Sequence, residues 1–134
     1  MITEVEAYVG PKDKASHASR GRTPRTEVMF GKPGRWYVYL IYGMYFCLNI
    51  VTEKENYPAA ILIRSVEGVK GPGRVCKFFN IDKSFNASLA RKKTGLWIED
   101  RGVIIKPRSI KRGTRIGVDY AGRWKDKKWR FFIF

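Results

Sequence analysis

Apolar and polar positions alternate over residues 2–9. Thr3, Val5, Ala7 and Val9 share one face, while Ile2, Glu4, Glu6 and Tyr8 share the other. The pattern predicts a strand, closed by Gly10-Pro11, whose first face suits a core. Its second face sets two carboxylates and a ring side by side. Residues 10–35 break the alternation in a polar loop rich in Gly, Pro, Ser and Arg, and loops this long are commonly functional or disordered. The aromatic, β-branched runs Trp36–Tyr42 and Tyr45–Thr52 flank Gly43-Met44 and predict a β-hairpin. Ala60–Val66 predicts a further strand. Gly71-Pro72-Gly73 reads as the mouth of a helix with an inward stripe of Val75, Phe78 and Phe79. A second short helix is expected over Ser84–Lys92, and strands over Leu96–Glu99, Val103–Ile105, Arg115–Val118 and Trp129–Phe134. No repeat or linker divides the chain. The fold expected is α+β: a single domain over residues 1–134, mainly an antiparallel curved sheet with a prominent hairpin and a few short helices.

Composition narrows the class. A chain of 134 residues, 44% hydrophobic and 14% aromatic, can bury one core without staples and is too rich in rings for a solvated tail. Cys47 and Cys76 sit in apolar runs. With the one histidine they fall short of a four-ligand zinc site unless carboxylates complete it. No metal or cofactor is therefore expected. The chain has no apolar run of membrane-spanning length and no signal-peptide h-region, so a soluble protein of a reducing, intracellular compartment is expected, with no membrane partner.

Charge names a partner class. Lys and Arg total 27 against 12 Asp and Glu, a net charge of +15, and polyanions, nucleic acid first, are the natural partners. The basic residues are spread along the chain, which suits several loops converging on one phosphate-bearing surface; a generally basic, solvated surface gives the same count. Arg22, Arg25, Lys32, Arg74 and Lys77 are the candidates for positioning a duplex through its phosphates.

Several short motifs carry no weight. Gly31-Lys32-Pro33-Gly34 has the G-x-x-G form, but a strand follows it where a nucleic-acid-binding KH loop needs a helix. Gly68–Arg74 lacks the ending of a P-loop, and Asp13, Ser16 and His17 crowd one loop too closely for a triad. The stronger signal is a combination: Glu6 two residues before Tyr8, the hairpin tyrosines Tyr37, Tyr39, Tyr42 and Tyr45, and Arg64 at the end of an apolar strand. Singly, Glu6 suits a surface ion pair and the tyrosines a sheet core with polar tips. Together, a carboxylate, an arginine and flat rings in a basic protein are what an enzyme needs to stack an extruded base and activate water at its sugar.

The strings TEVEAYVGPKDKASHA, RGRTPRTEVMFGKPGRWYVYLIYGMYFCLNIVT, ILIRSVE, GPGRVCKFFNIDKSFN and RIGVDYAGRWKDKKWRFFIF resemble, in order and spacing, the alkyladenine (3-methyladenine) DNA glycosylase family over essentially the whole chain. The resemblance implies a monofunctional base-excision-repair glycosylase. Such an enzyme flips alkylated or deaminated purines out of duplex DNA and leaves an abasic site, without a cofactor. Glu6 falls on the family's water-activating glutamate, Arg64 on the arginine that helps hold the water, and the Ile116 carbonyl on its third contact. Tyr8 falls on one wall of the base pocket and His17 and Tyr39 on the other, with the His17 N–H reading the purine 6-position. Asn49 falls on the residue that crowds a guanine 2-amino group. Tyr42 falls on the wedge inserted into the minor groove, with Met44 beside it. Double-stranded DNA bearing damaged purines is the implied partner, a monomer the implied state. The implied compartment is the cytoplasm of a bacterium or the nucleus of a eukaryote. Against the family the chain begins close to the Glu6 strand and stops at Phe134, as a reduced or truncated member would.

Overall fold

In the computed structural model, which describes residues 1–133, seven strands form one antiparallel sheet. They are β1 (Ile2–Val9), β2 (Trp36–Ile41), β3 (Tyr45–Val51), β4 (Ala59–Val66), β5 (Val69–Lys70), β6 (Lys111–Gly113) and β7 (Arg130–Phe132). The order is β2-β3-β4-β1-β7-β6, with β5 hairpinned onto β4. Among the described residues one α-helix, α1 (Pro72–Phe78), and several 3-10 turns complete the α+β architecture. Phe134, the last residue of the final predicted strand, lies outside the described residues.

Alternation along β2, β3 and β4 sends side chains to two separate cores. Trp36, Val38, Leu48 and Ile63 pack with Val75 and Cys76 of α1 and with Ile81. Tyr37, Val51 and Ala60 face the other way and pack under Ala18 and Met29. The long polar loop is therefore structured, with 3-10 turns at His17–Arg20 and Glu27–Phe30 laid over this second face. Full burial of each large apolar side chain contributes ~1.5–3 kcal/mol.

The departures from expectation have local causes. On β1 both faces are covered to a similar degree: Thr3 and Glu6, one from each face, are buried, while Ile2 and Val9 at the strand ends are exposed. Helix α1 ends at Phe78, so Phe78 and Phe79 stay exposed and Val75 and Cys76 make the contact. The second helix does not form. Asp82 caps the Ser84 N–H, Asn86 accepts the Val38 N–H, and residues 83–94 are spent in turns that tie onto β2. Residues 96–99 contribute one β-bridge, Arg91–Leu96, and 103–105 are not in a strand, with Ile104 exposed. Residues 115–118 bend at Gly117 (φ 76°) instead of extending. The Trp129–Phe134 strand survives as Arg130–Phe132, and β6 had no sequence signal.

Candidate active site

The site starts from an irregularity in strand pairing. Between β1 and β4, Glu4 faces Ser65 and the next residue, Val5, faces Ile63. Arg64 is left as the extra residue of a bulge, a device that re-aims a side chain. Its guanidinium reaches back to both β1 carboxylates, Nε donating to Glu4 Oε1 at 3.2 Å and Nη1 lying 3.4 Å from Glu6 Oε1.

Glu6 has no solvent contact and three partners. Its Oε1 accepts the Ile116 N–H at 2.8 Å, beside Arg64, and its Oε2 accepts the Tyr8 hydroxyl at 2.8 Å. Ile116 thus engages the glutamate through its amide. Burial, then the Glu6 charge, pushes the Tyr8 hydroxyl well above the usual phenol range. Tyr8 remains a donor and a neutral ring.

Tyr8, Arg64 and Ile116 line a cavity of about 350 Å³, together with His17, Arg25, Tyr37, Tyr39, Tyr42 and Asn49. The predicted wall and floor residues are therefore gathered in one place, with Glu6 one layer behind. His17 meets the Tyr39 ring edge-on at 4.7 Å between centroids, and its Nδ1 lies 3.4 Å from the Tyr37 hydroxyl. Burial and the charges of Arg25 and Arg20 lower the His17 pKa to about 4. This histidine is neutral near pH 7. Asn49 is buried and donates to the Tyr37 carbonyl at 3.2 Å. Arg25 caps the Tyr39 ring from outside at 5.4 Å and donates to the Leu40 carbonyl.

The hairpin tip projects from the cavity mouth. The Met44 N–H closes a turn on the Ile41 carbonyl at 3.1 Å, with Tyr42 (φ 50°) and Gly43 (φ 65°) both left-handed as type I′ turns require. For Tyr42 that backbone is strained, and its side chain is 87% exposed. Met44 is exposed beside it. A strained, solvated aromatic thus stands at the rim of the cavity.

The family profile for methylpurine-DNA glycosylase matches residues 1–71 and 67–134. A protein named "Putative 3-methyladenine DNA glycosylase" from Methanocella arvoryzae is 44% identical over 98% of this chain and 74% of its own length. Proteins of the same name from Ehrlichia ruminantium (48%) and Rickettsia felis (45%) match 99% of this chain and 73% and 76% of theirs. The chain belongs to the methylpurine-DNA glycosylase family.

In this glycosylase the basic residues expected to meet phosphate are all on the surface. Arg22, Arg25, Lys32, Arg74 and Lys77 are exposed. Arg22 is partly engaged, with Glu27 at 3.0 Å and with Asn56. Helix α1 is a single short element of seven residues, and Arg74 and Lys77 contribute as exposed cations.

The residues that sequence reasoning missed lie behind the pocket wall. Asp13 and Arg115 form a fully buried, two-pronged ion pair at 2.5 and 2.8 Å. Arg115 also donates to the Ala7 and Trp124 carbonyls, and its guanidinium lies between the Tyr8 and Trp129 rings at 4.9 and 5.0 Å. Asp13 accepts the Val9 and Ala15 N–H groups. One pair therefore fixes β1, the loop leading to His17 and the loop carrying Ile116. The available signal was an arginine directly before the apolar Ile116. Tyr120, which lines the cavity and donates to the Ala15 carbonyl, was also missed.

Proposed function

We propose that this chain is a DNA glycosylase that takes an alkylated or deaminated purine out of duplex DNA and hydrolyses its N-glycosidic bond. The observation that carries this is a buried carboxylate, Glu6, bound by Arg64 and the Ile116 N–H directly behind an aromatic cavity with room for a purine. Tyr8 on one side and His17 with Tyr39 on the other stack the extruded base, and Tyr42 with Met44 fills the gap it leaves. Unstacking costs a few kcal/mol, least for damaged or mispaired bases, so extrusion itself selects. Glu6 takes a proton from water as the water oxygen bonds to C1′, and the C1′–N electrons leave with the base. Alkylation at N3 or N7 makes the purine a cation, which leaves without an enzymic acid and is held by the tyrosine faces. Asn49 crowds a guanine 2-amino group. Water as nucleophile forms no Schiff base, so the product is an intact strand with an abasic site. Arg22, Arg25, Lys32, Arg74 and Lys77 hold the phosphates. Every proposed site residue comes from one chain, which we read as a monomer acting where the genome is kept.

The test uses duplex DNA carrying hypoxanthine or 3-methyladenine, incubated with wild type and Glu6→Gln. Abasic sites are expected with wild type only, and equal release by both proteins removes Glu6 from the role. One feature favours a second reading, a damage-binding protein without chemistry: the Tyr8 hydroxyl occupies Glu6 Oε2. That reading predicts lesion-preferring binding, lost in Tyr42→Ala, with no base released by the wild type.

A further inference from the structure

Glu4 lies outside the cavity, yet it holds the arginine that faces Glu6. Its Oε1 accepts Arg64 Nε at 3.2 Å and Arg130 Nη1 at 3.0 Å, and its Oε2 accepts the Ser65 hydroxyl at 2.8 Å. The network continues outward. Ser65 accepts the Gly71 N–H at 3.3 Å, and Arg130 donates through Nε to the Thr114 carbonyl at 2.8 Å while its guanidinium rests on the Phe132 ring at 4.7 Å. Burial by itself would raise the Glu4 pKa. Hydrogen bonds from Arg130 and Ser65 and the Arg64 charge outweigh it and lower the pKa.

Three features make this more than a surface ion pair. The bulge takes Arg64 out of the β1–β4 register and re-aims its side chain, so the final placement of its long guanidinium arm is left to its partners. A long arginine is rotamer-rich, and holding it in one conformation costs side-chain entropy that a bound partner must offset. Glu4 binds the Nε edge of the guanidinium, so the Nη1 corner is the part presented to Glu6. Two carboxylates on one strand face thus share one arginine, one at its side and one at its end. Arg130 supplies the second positive charge that two carboxylates require.

We propose that Glu4 is a positioning residue of this glycosylase: by clamping Arg64 through Nε, with Arg130 and Ser65 as its own supports, it aims the Arg64 Nη1 at Glu6 and at the water site. The inference rests on the proposed role of Glu6, and it predicts a defect in aim without a defect in DNA binding. In Glu4→Gln, single-turnover base release is expected to fall roughly tenfold or more, the scale of a lost charge-assisted hydrogen bond, at unchanged affinity for the lesion duplex.

The deciding measurement does not need turnover. With ¹⁵N-labelled arginine side chains, the Arg64 Nε–H of the wild type should exchange slowly with solvent, and Glu4→Ala, which leaves no acceptor, should lose that protection. The buried Arg115 signals should be unchanged, which certifies the fold. Loss of Arg64 protection alone supports the proposal; retained protection overturns it, whether or not the wild type releases any base. Where the wild type does release base, Glu4→Gln and Arg64→Ala should be non-additive, with the double variant no slower than Arg64→Ala. Rate losses that multiply overturn the proposal and leave the role of Glu6 standing. No release by the wild type refutes the activity and leaves the exchange result to decide the clamp.

Discussion

Replacing Arg115 with methionine tests whether the buried ion pair behind the pocket holds the site together. Both side chains of the Asp13–Arg115 pair are 0% exposed. The variant therefore strands a carboxylate in the interior and removes the donors to the Ala7 and Trp124 carbonyls. Breaking one side of a buried pair costs ~3–5 kcal/mol. The wild-type pair is not ideal, because Arg115 Nε is buried without a partner, which favours the lower half of that range. A domain of this size is stable by about 5–15 kcal/mol, so a large fraction would be lost. At roughly 3–4 °C per kcal/mol the midpoint should fall by about 10 °C or more. Urea denaturation of Arg115→Met and of the double variant Asp13→Asn/Arg115→Met supplies the assay. The double variant should recover part of the loss, since the side-chain amide that replaces the Asp13 carboxylate keeps an acceptor for the Val9 and Ala15 N–H groups without a stranded charge. A loss under about 1 kcal/mol in Arg115→Met would falsify the idea that this pair anchors the loops. A double variant no better than the single one would locate the cost in lost packing on Tyr8 and Trp129 instead.

Two further outcomes follow from single residues. Tyr42 holds a left-handed backbone while its side chain stands in solvent. Tyr42→Gly should therefore leave stability unchanged or raise it by up to about 1 kcal/mol while weakening retention of a lesion duplex roughly tenfold or more; calorimetry with a binding titration checks both, and a destabilised turn with normal retention refutes the wedge. The folded pKa of His17, about 4 against 6.5 for the free side chain, makes it a source of acid sensitivity. Between those values the unfolded chain takes up a proton that the folded chain refuses, so the His17 contribution is intact above pH 6.5 and declines as pH falls toward 4. The midpoint should drop less from about pH 7 to about pH 5 in His17→Gln than in wild type, and equal slopes in both proteins contradict this account.

What could be read from the sequence was whatever depends on period. Glu6 and Tyr8 two residues apart had to share a face of β1, and the hairpin had to place Tyr37 and Tyr39 together, because strand side chains alternate. What covers a face is not periodic. The loops carrying Asp13, His17 and Ile116 hold their shape through an ion pair and turns, with no alternation to reveal that Glu6 is buried. The Arg64 bulge was equally hidden: ILIRSV reads as an unbroken strand, and the slip shows only in its pairing with Glu4 and Val5. The predicted strands at 96–99 and 103–105 failed for a related reason. A short apolar run signals burial, and whether it also pairs as a strand is decided by tertiary arrangement that its own pattern does not carry.

The same geometry accounts for how a chain of net charge +15 keeps carboxylates at its centre. Glu6 and Asp13 are fully buried and Glu4 partly so, and the cation that meets each is an arginine: Arg64, Arg115, and Arg64 with Arg130. Arginine suits these positions because its planar fork serves two acceptors at once, as Arg64 and Arg115 both do. Of the cations proposed to meet phosphate, Arg22, Lys32, Arg74 and Lys77 lie apart from this set on the surface, and Arg25, also exposed, lines the cavity with Arg64. Internal charge is thus compensated locally, so phosphate binding outside need not draw on the guanidinium that faces Glu6. Salt should then weaken duplex binding steeply, because exposed contacts are screened. It should leave the release rate of bound duplex nearly constant, because the Glu6–Arg64 contact lies where salt has little access. A single-turnover titration across salt concentrations separates the two quantities, and a release rate that falls in step with affinity refutes the separation.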